Sequence, residues 1–207
     1  TQTNLHAAKA LVAAVTSSDS ANSFCRNLVH TVFARFGVNS ATLCVIGSEA
    51  RLHPVGSYGV ELEFLEGELG SAFAPTPIAE AIKSHEVVLF PSLGSRMSHV
   101  AEAAGLSPNN GAIAMPLFTD GLVRGATMLT FNEPIDSNPF LPELCEGLQV
   151  ASAHFINSAE HSKAGNGRRA SGNPDVPEEL SERQLLILKQ LELPVTYSQI
   201  GRQLHVS

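Results

Sequence analysis

AIAMPLFTDGLVRGATMLTF, residues 112–131, sets the architecture. Residues 112–118 and 123–131 are apolar runs, and Thr119, Asp120 and Gly121 stand between them. Asp-Gly between apolar runs is a hairpin signal, so two antiparallel strands are expected. Pro134, Pro139 and Pro142 punctuate the exit. From about residue 142 to about 160 a helical stripe follows, with Leu144, Cys145, Leu148, Ala151, Phe155 and Ala159 on one side.

Upstream, residues 41–46 are apolar and partly β-branched, and residues 51–57 alternate weakly after Gly47-Ser48-Glu49, so they read as a second hairpin. Before it lie two helical patterns. Leu5, Ala8, Leu11, Val12 and Val15 mark a short helix. Phe24, Cys25, Leu28, Val29, Val32, Phe33 and Phe36 mark another, with Ser20 or Asn22 as its cap and Gly37 as its terminator. Residues 58–75 are irregular, with Phe64, Leu65, Leu69 and Phe73 as buried candidates. Pro77 opens a short helix over 78–83, 87–90 is a brief strand, and 92–110 is loop-like with a short helix at 99–104. Hairpins with helices gathered at the ends predict an α+β domain: one antiparallel sheet with flanking helices.

Composition excludes several classes. The chain has 207 residues, 43% of them hydrophobic and 16% charged, enough apolar content for a packed core. No apolar run approaches the roughly 18–20 residues of a membrane span, and no signal peptide opens the sequence. Thr rather than Met at position 1 suggests a fragment. Cys25, Cys44 and Cys145 lack CxxC spacing and sit in apolar segments, which suits buried thiols in a reducing cytoplasm. The sequence holds no GxSxG elbow, Walker loop, HExxH or dinucleotide fingerprint, its eight histidines are scattered, and catalysis is disfavoured. No cofactor or metal site is expected.

Charge divides the chain. Residues 1–160 carry 7 Lys+Arg and 15 Asp+Glu, a net of −8, whereas residues 161–207 carry 6 and 5, a net of +1. The acidic part is a poor polyanion binder. Between the parts, SKAGNGRRASGNPDVP (162–177) has almost no apolar residues and reads as a linker. The expected organisation is a domain over 1–161, a linker over 162–177 and a separate segment over 178–207.

PLFTDGLVRGATMLTF (116–131) with NPFLPELCEGLQVASAHFINSAE (138–160) resembles the end of a GAF domain, and PIAEAIKSHEVVLFPSL (77–93) resembles that family's short helix and strand. The resemblance covers about residues 20–160. It implies a small-molecule pocket between one sheet face and the irregular segment, placing Phe64, Phe73, Phe90, Met97, His99 and Met115 around it. Cys44, Tyr58 and Thr127 would be wall or polar contributors. The plainer alternative is that these side chains simply form the core. The family's cyclic-nucleotide signature is absent, and no Cys–His pair suggests bilin attachment.

The tail, LSERQLLILKQLELPVTYSQIGRQLHVS (180–207), carries two capping boxes, Ser181 with Gln184 and Thr196 with Gln199, separated by Pro194. They predict short helices near 182–192 and 197–204. Residues 180–207 resemble the start of a LuxR-type helix-turn-helix, through Leu180-Ser181-x-Arg183-Gln184 and Ser198-Gln199-Ile200-Gly201-x-x-Leu204. Gln184 and Gly201 stand where that family more often has Glu and Ala. The match stops before the recognition helix, which Ser207 would cap, and the surface-helix alternative stays open. What the resemblance implies is DNA contact through Arg183, Lys189, Arg202 and Ser207, with Arg168 and Arg169 of the linker as further phosphate attractors. The combined expectation is a cytoplasmic, homodimeric, ligand-responsive transcription regulator. The dimer would bury the apolar stripes of the outer helices. The alternative is a GAF-type signalling module that passes its state to a partner protein.

Overall fold

A computed structural model describes residues 2–66 and 68–165, and the backbone alone for Phe64, Glu66, Glu68 and residues 158–165. Residues 166–207 lie outside the described residues, and with them the two tail helices, Arg168, Arg169, Arg183, Lys189, Arg202 and Ser207.

The chain opens with helix α1 (Gln2–Ser17). Its buried stripe is Ala7, Ala8, Leu11, Ala14 and Val15. Leu5, expected on that stripe, is 44% exposed, because six residues of helix rotate it about 120° away from Leu11. Helix α2 (Ala21–Asn27) begins at Ser20, whose hydroxyl accepts from the Ser23 backbone N–H while Ser23 Oγ accepts from that of Ser20. The second helix is not continuous over 24–36 as expected. After Asn27 the chain widens into a π-helix, Leu28–Val32, then tightens into a 3-10 turn, Ala34–Phe36. Gly37 ends it at φ +77°, a conformation that favours glycine.

Strands β1 (Val38–Ile46) and β2 (Leu52–Tyr58) form the first hairpin. Short 3-10 turns, Glu63–Glu66 and Glu68–Gly70, lead to helix α3 (Pro77–Ser84), capped by the Thr76 hydroxyl at the Ala79 N–H. Strand β3 (Val88–Phe90) and helix α4 (Ser98–Ala103) follow. Strands β4 (Ala112–Thr119) and β5 (Leu122–Phe131) pair through Asp120 and Gly121, whose φ angles are +52° and +77°. Two successive positive φ values suit a tight hairpin turn, the chemistry expected of Asp-Gly. Helix α5 (Pro142–Gly165) closes the described chain and overlaps residues 162–165 of the expected linker.

The sheet is antiparallel, in the order β2-β1-β5-β4-β3, and the α+β class is as expected. Strand alternation splits its side chains between two layers. On one face, Leu43, Ile113, Met115, Leu129 and Phe131 pack with α1, α2 and α5. Gly56 lets α2 lie flush on β2, since a Cβ there would come within 2.6 Å of the Ala21 backbone. On the other face, Cys44, Ala112, Ala114, Ala126 and Met128 are covered by α3, α4 and the chain around Leu65 and Leu93.

The apolar stripes of α1, α2 and α5 are consumed inside this one chain: Leu11, Phe24, Leu28, Phe33, Leu144, Leu148 and Phe155 are all buried. Among the described residues these side chains leave little apolar surface for a two-fold interface, apart from Leu5 of the first stripe, which is exposed.

Candidate functional site

The two sheet faces differ in side-chain size, and the difference begins in the sequence of β1. In Ser40-Ala41-Thr42-Leu43-Cys44 the odd positions face the helical layer and the even ones face the layer of α3 and α4. On β4 the same alternation sends Ile113, Met115 and Leu117 to the helices and Ala112 and Ala114 to the other side. On β5 it sends Ala126, Met128 and Thr130 to that other side. On β1, β4 and β5 the face under α3 and α4 is thus a floor of mostly small or hydroxyl-bearing side chains with Met128 as a large member, flanked by Leu52 on β2 and Phe90 on β3.

Polar groups on this floor are not equally provided for. Ser40 Oγ lies 2.5 Å from Thr130 Oγ1, which donates in turn to Asn39 Oδ1 at 2.6 Å. With the Thr130 proton committed to Asn39, Ser40 is the donor of the first bond. Thr42, opposite Met128 on β5 and Ser57 on β2, is fully buried and its hydroxyl has no partner. An unmet buried hydroxyl costs about 1–3 kcal/mol, and Thr127 on the opposite face and Ser152 on α5 share that state.

A cavity of about 410 Å³ lies at the β2 edge of the same layer, lined by Arg51, Leu52, His53, Pro54, Leu62, Glu63 and Leu65. Its volume falls in the range of small-molecule sites, and Leu52 and Leu65 belong to the core over the floor. The Arg51 guanidinium donates to the Leu65 carbonyl at 3.2 Å, tying β2 to the Glu63–Glu66 turn. A shallower groove of about 530 Å³ runs between Phe73 and α3 on the outer surface.

Of the nine residues expected around a pocket, Cys44, Phe90 and Met97 are brought together, all buried over the floor. Met115 and Thr127 stand opposite each other on β4 and β5 but face the helical layer. Tyr58 also belongs to that side, its hydroxyl 2.7 Å from His30 Nε2. These three are corrections, and period-two alternation is the reason. Phe73 is 81% exposed and His99 is exposed on α4. The turn carrying Phe73 follows the Arg51–Ser71 bridge, which pins Ala72 into the core while its neighbour points outward. Phe64 lies on the Glu63–Glu66 turn, and its side chain is outside the described ones. Ser40, Thr42 and Thr130 were not expected in the site, although the Ser-x-Thr-x-Cys alternation in β1 was the available signal.

Burial pushes the Cys44 thiol up to about 12, with Cys25 adding to it. Cys25 is pushed to about 12 by burial too, against backbone hydrogen bonding near Leu43 that lowers it. Burial also raises Cys145, opposed by a hydrogen bond from Asn138. Thiols held protonated in this way are poor nucleophiles and poor metal ligands. Among the described residues no three His, Cys, Asp or Glu side chains are grouped to hold a metal ion, and no helix is long and apolar enough to cross a membrane.

This arrangement, a five-stranded antiparallel sheet between a helical layer and an irregular cover, is a GAF-like fold. It is similar to the GAF domains of phosphoenolpyruvate-protein phosphotransferases from Coxiella burnetii (TM-score 0.61) and Acinetobacter (TM-score 0.58). Each is 14% identical, over 80% of this chain and 98% of that one. It is similar as well to free methionine-R-sulfoxide reductase from Neisseria meningitidis, solved with its substrate, with TM-score 0.53 and 12% identity over 73% of this chain and 87% of that one. No model of a known protein family matches the chain, and no curated protein sequence does.

Proposed function

We propose that this chain is the sensing part of a ligand-responsive bacterial transcription regulator. A small molecule seats in the cavity at the β2 edge of the sheet, and its occupancy is passed to the DNA-binding segment of the tail. The observation that carries the sensing half is the cavity of about 410 Å³ at the β2 edge of the layer under α3 and α4, beside a buried face on which the Thr42 hydroxyl has no protein partner.

The DNA-reading half is supported by sequence alone, through residues 180–184 and 198–204, with Arg183, Lys189 and Arg202 as phosphate contacts and Ser207 as the cap of the recognition helix. Helix α5 is the last described element before that tail and packs on both α1 and the sheet, which makes it the natural carrier of a ligand-dependent shift. Pairing of two copies belongs to the same reading, since a dimer presents two reading heads. With the helix stripes buried internally, it falls to exposed side chains such as Phe118 and Leu122. The reading is non-catalytic, because buried, protonated thiols do not supply the redox chemistry that a reductase role would demand.

The test joins native mass spectrometry of the freshly purified protein with selection of duplexes from a random pool by a chain that carries the recognition helix following Ser207. The expected outcome is a retained small molecule, together with salt-sensitive enrichment of particular duplexes that changes when the molecule is removed. Equal binding to all duplexes, or to none in either state, refutes the DNA half and leaves signalling to a partner protein.

A further inference from the structure

We propose that the groove between Phe118 and helix α5 is a docking surface whose occupant is this chain's own tail, residues 182–193. The groove has a volume of about 430 Å³ and is lined by Phe118, Glu146, Gln149 and Val150. Strand β3 pairs with residues 112–114 of β4, which leaves Pro116 and Phe118 beyond its end. Phe118 is 41% exposed there. A bare strand edge invites another strand, but Pro116 has no N–H to offer and its carbonyl accepts from Gln149 Nε2 at 2.7 Å. The groove is therefore shaped for side chains: an aromatic ring and Val150, with the exposed Glu146 carboxylate beside them.

The tail sequence carries the complement. In the helix expected near 182–192, Ile187, Leu188 and Leu191 fall on one side, the side of a seam with the second tail helix. Leu186 and Leu193 fall two turns apart on the opposite side, with Lys189 beside them. A seam on the first side leaves this second apolar pair uncovered. Laid in the groove, the pair meets Phe118 and Val150, and Lys189 meets Glu146, a contact that sets register more than affinity. Reach agrees with this. Val150 lies about 22 Å back along the α5 axis from Gly165, at about 1.5 Å per residue. Residues 166–181, as a coil rich in Gly, Ser and Asn, span about 20–24 Å. A tether matched to its span presents the segment in the millimolar range, so weak contacts are enough to seat it. Docking stands without the regulator reading, and it adds an off-state to that reading. Lys189 on Glu146 is withheld from phosphate, and Phe118 under the tail is withheld from a second copy.

The test uses the full chain, whose native thiols are buried, with Gln190→Cys carrying a nitroxide and the amide signals followed by NMR. The signals of Phe118, Gln149 and Val150 are expected to lose at least about half their intensity. Leu186→Asp should abolish that loss. Lys189→Glu should weaken it, and Lys189→Glu combined with Glu146→Lys should bring it back. Full intensity at these amides, a loss that survives Leu186→Asp, or a charge swap that restores nothing overturns the proposal. So does a loss seen only between separately labelled copies mixed together, which makes a second copy the occupant. The measurement contains neither small molecule nor duplex, so its failure leaves the sensing and DNA-reading proposals to their own test.

Discussion

Ser40 and Thr42 project from the same face of β1, yet only Ser40 has a partner: its hydroxyl lies 2.5 Å from Thr130 Oγ1, while that of Thr42 is buried and unmet. Side by side on one strand, the two show a polar strip that folding completes at one end and leaves open at the other. The opposite face of β1, with Ala41, Leu43 and Val45, is apolar throughout and buried under the helices. On the helical side the Thr127 hydroxyl of β5, opposite Leu43, and that of Ser152 on α5 are likewise buried and unmet, so open hydroxyls occur on both faces of the sheet.

The fit of β1 against β5 depends on Gly125, because a Cβ there would collide with the Cys44 carbonyl oxygen. Gly125→Ala is expected to cost about 3 kcal/mol and to loosen the floor from beneath. Gly121 is a useful contrast. Its φ of +77° strains any other residue, but nothing lies within 4 Å of a Cβ there, so Gly121→Ala should cost only about 1–2 kcal/mol. Urea unfolding of the two variants separates collision from backbone strain.

Phe73 and Phe90 were both expected in the pocket, and their burial now sets them apart, at 81% and 1% exposure. Phe73→Ser should change stability by no more than about 0.5 kcal/mol, and Phe90→Ala should cost about 3–5 kcal/mol. Thermal unfolding of each variant is sufficient. Equal losses would show that the Phe73 turn is packed inward.

Cys25 and Cys44 make the domain sensitive to alkali. Both thiols titrate near 12 in the folded chain, above their ordinary value of 9.0, because burial penalises the thiolate. The folded state holds its protons longer than the unfolded chain does. The contribution is fully present below pH 9 and is lost as pH rises from there toward 12, at up to about 1.4 kcal/mol per pH unit for each thiol. Denaturant midpoints at pH 8 and pH 10.5 should show the fall, and Cys44→Ala should make it shallower. Alkylation at pH 8 should be slow until denaturant opens the fold.

The sequence displayed its hairpins plainly because turn chemistry and strand chemistry agree there: Asp120-Gly121 demands positive φ between two apolar runs, and Thr76-Pro77 starts a helix where a cap and a fixed φ coincide. The π-helix at Leu28–Val32 was not legible, since the same side chains satisfy a pattern of four or of five residues between bonded groups. The site was legible only in part. Cys44, Phe90 and Met97 share a face, but Met115 and Thr127 are one residue out of phase with Ala114, Ala126 and Met128, and a single step on a strand is the whole thickness of the sheet. Phe73 misled because on an irregular turn an apolar side chain has no period to reveal which way it points. Thr42 escaped notice because a hydroxyl in a strand is ordinary until its partners are counted.

The most direct test of the open hydroxyl needs no ligand: the denaturant stability of Thr42→Val beside that of Ser40→Ala. Removing a hydroxyl that nothing meets should stabilise the chain, so Thr42→Val is expected to gain about 1–2 kcal/mol, whereas Ser40→Ala, which breaks the bond to Thr130, should lose about as much. A Thr42→Val variant less stable than the wild type by about 1 kcal/mol or more would mean that its hydroxyl is already satisfied within the protein, and the floor would then have no open place for a ligand to fill.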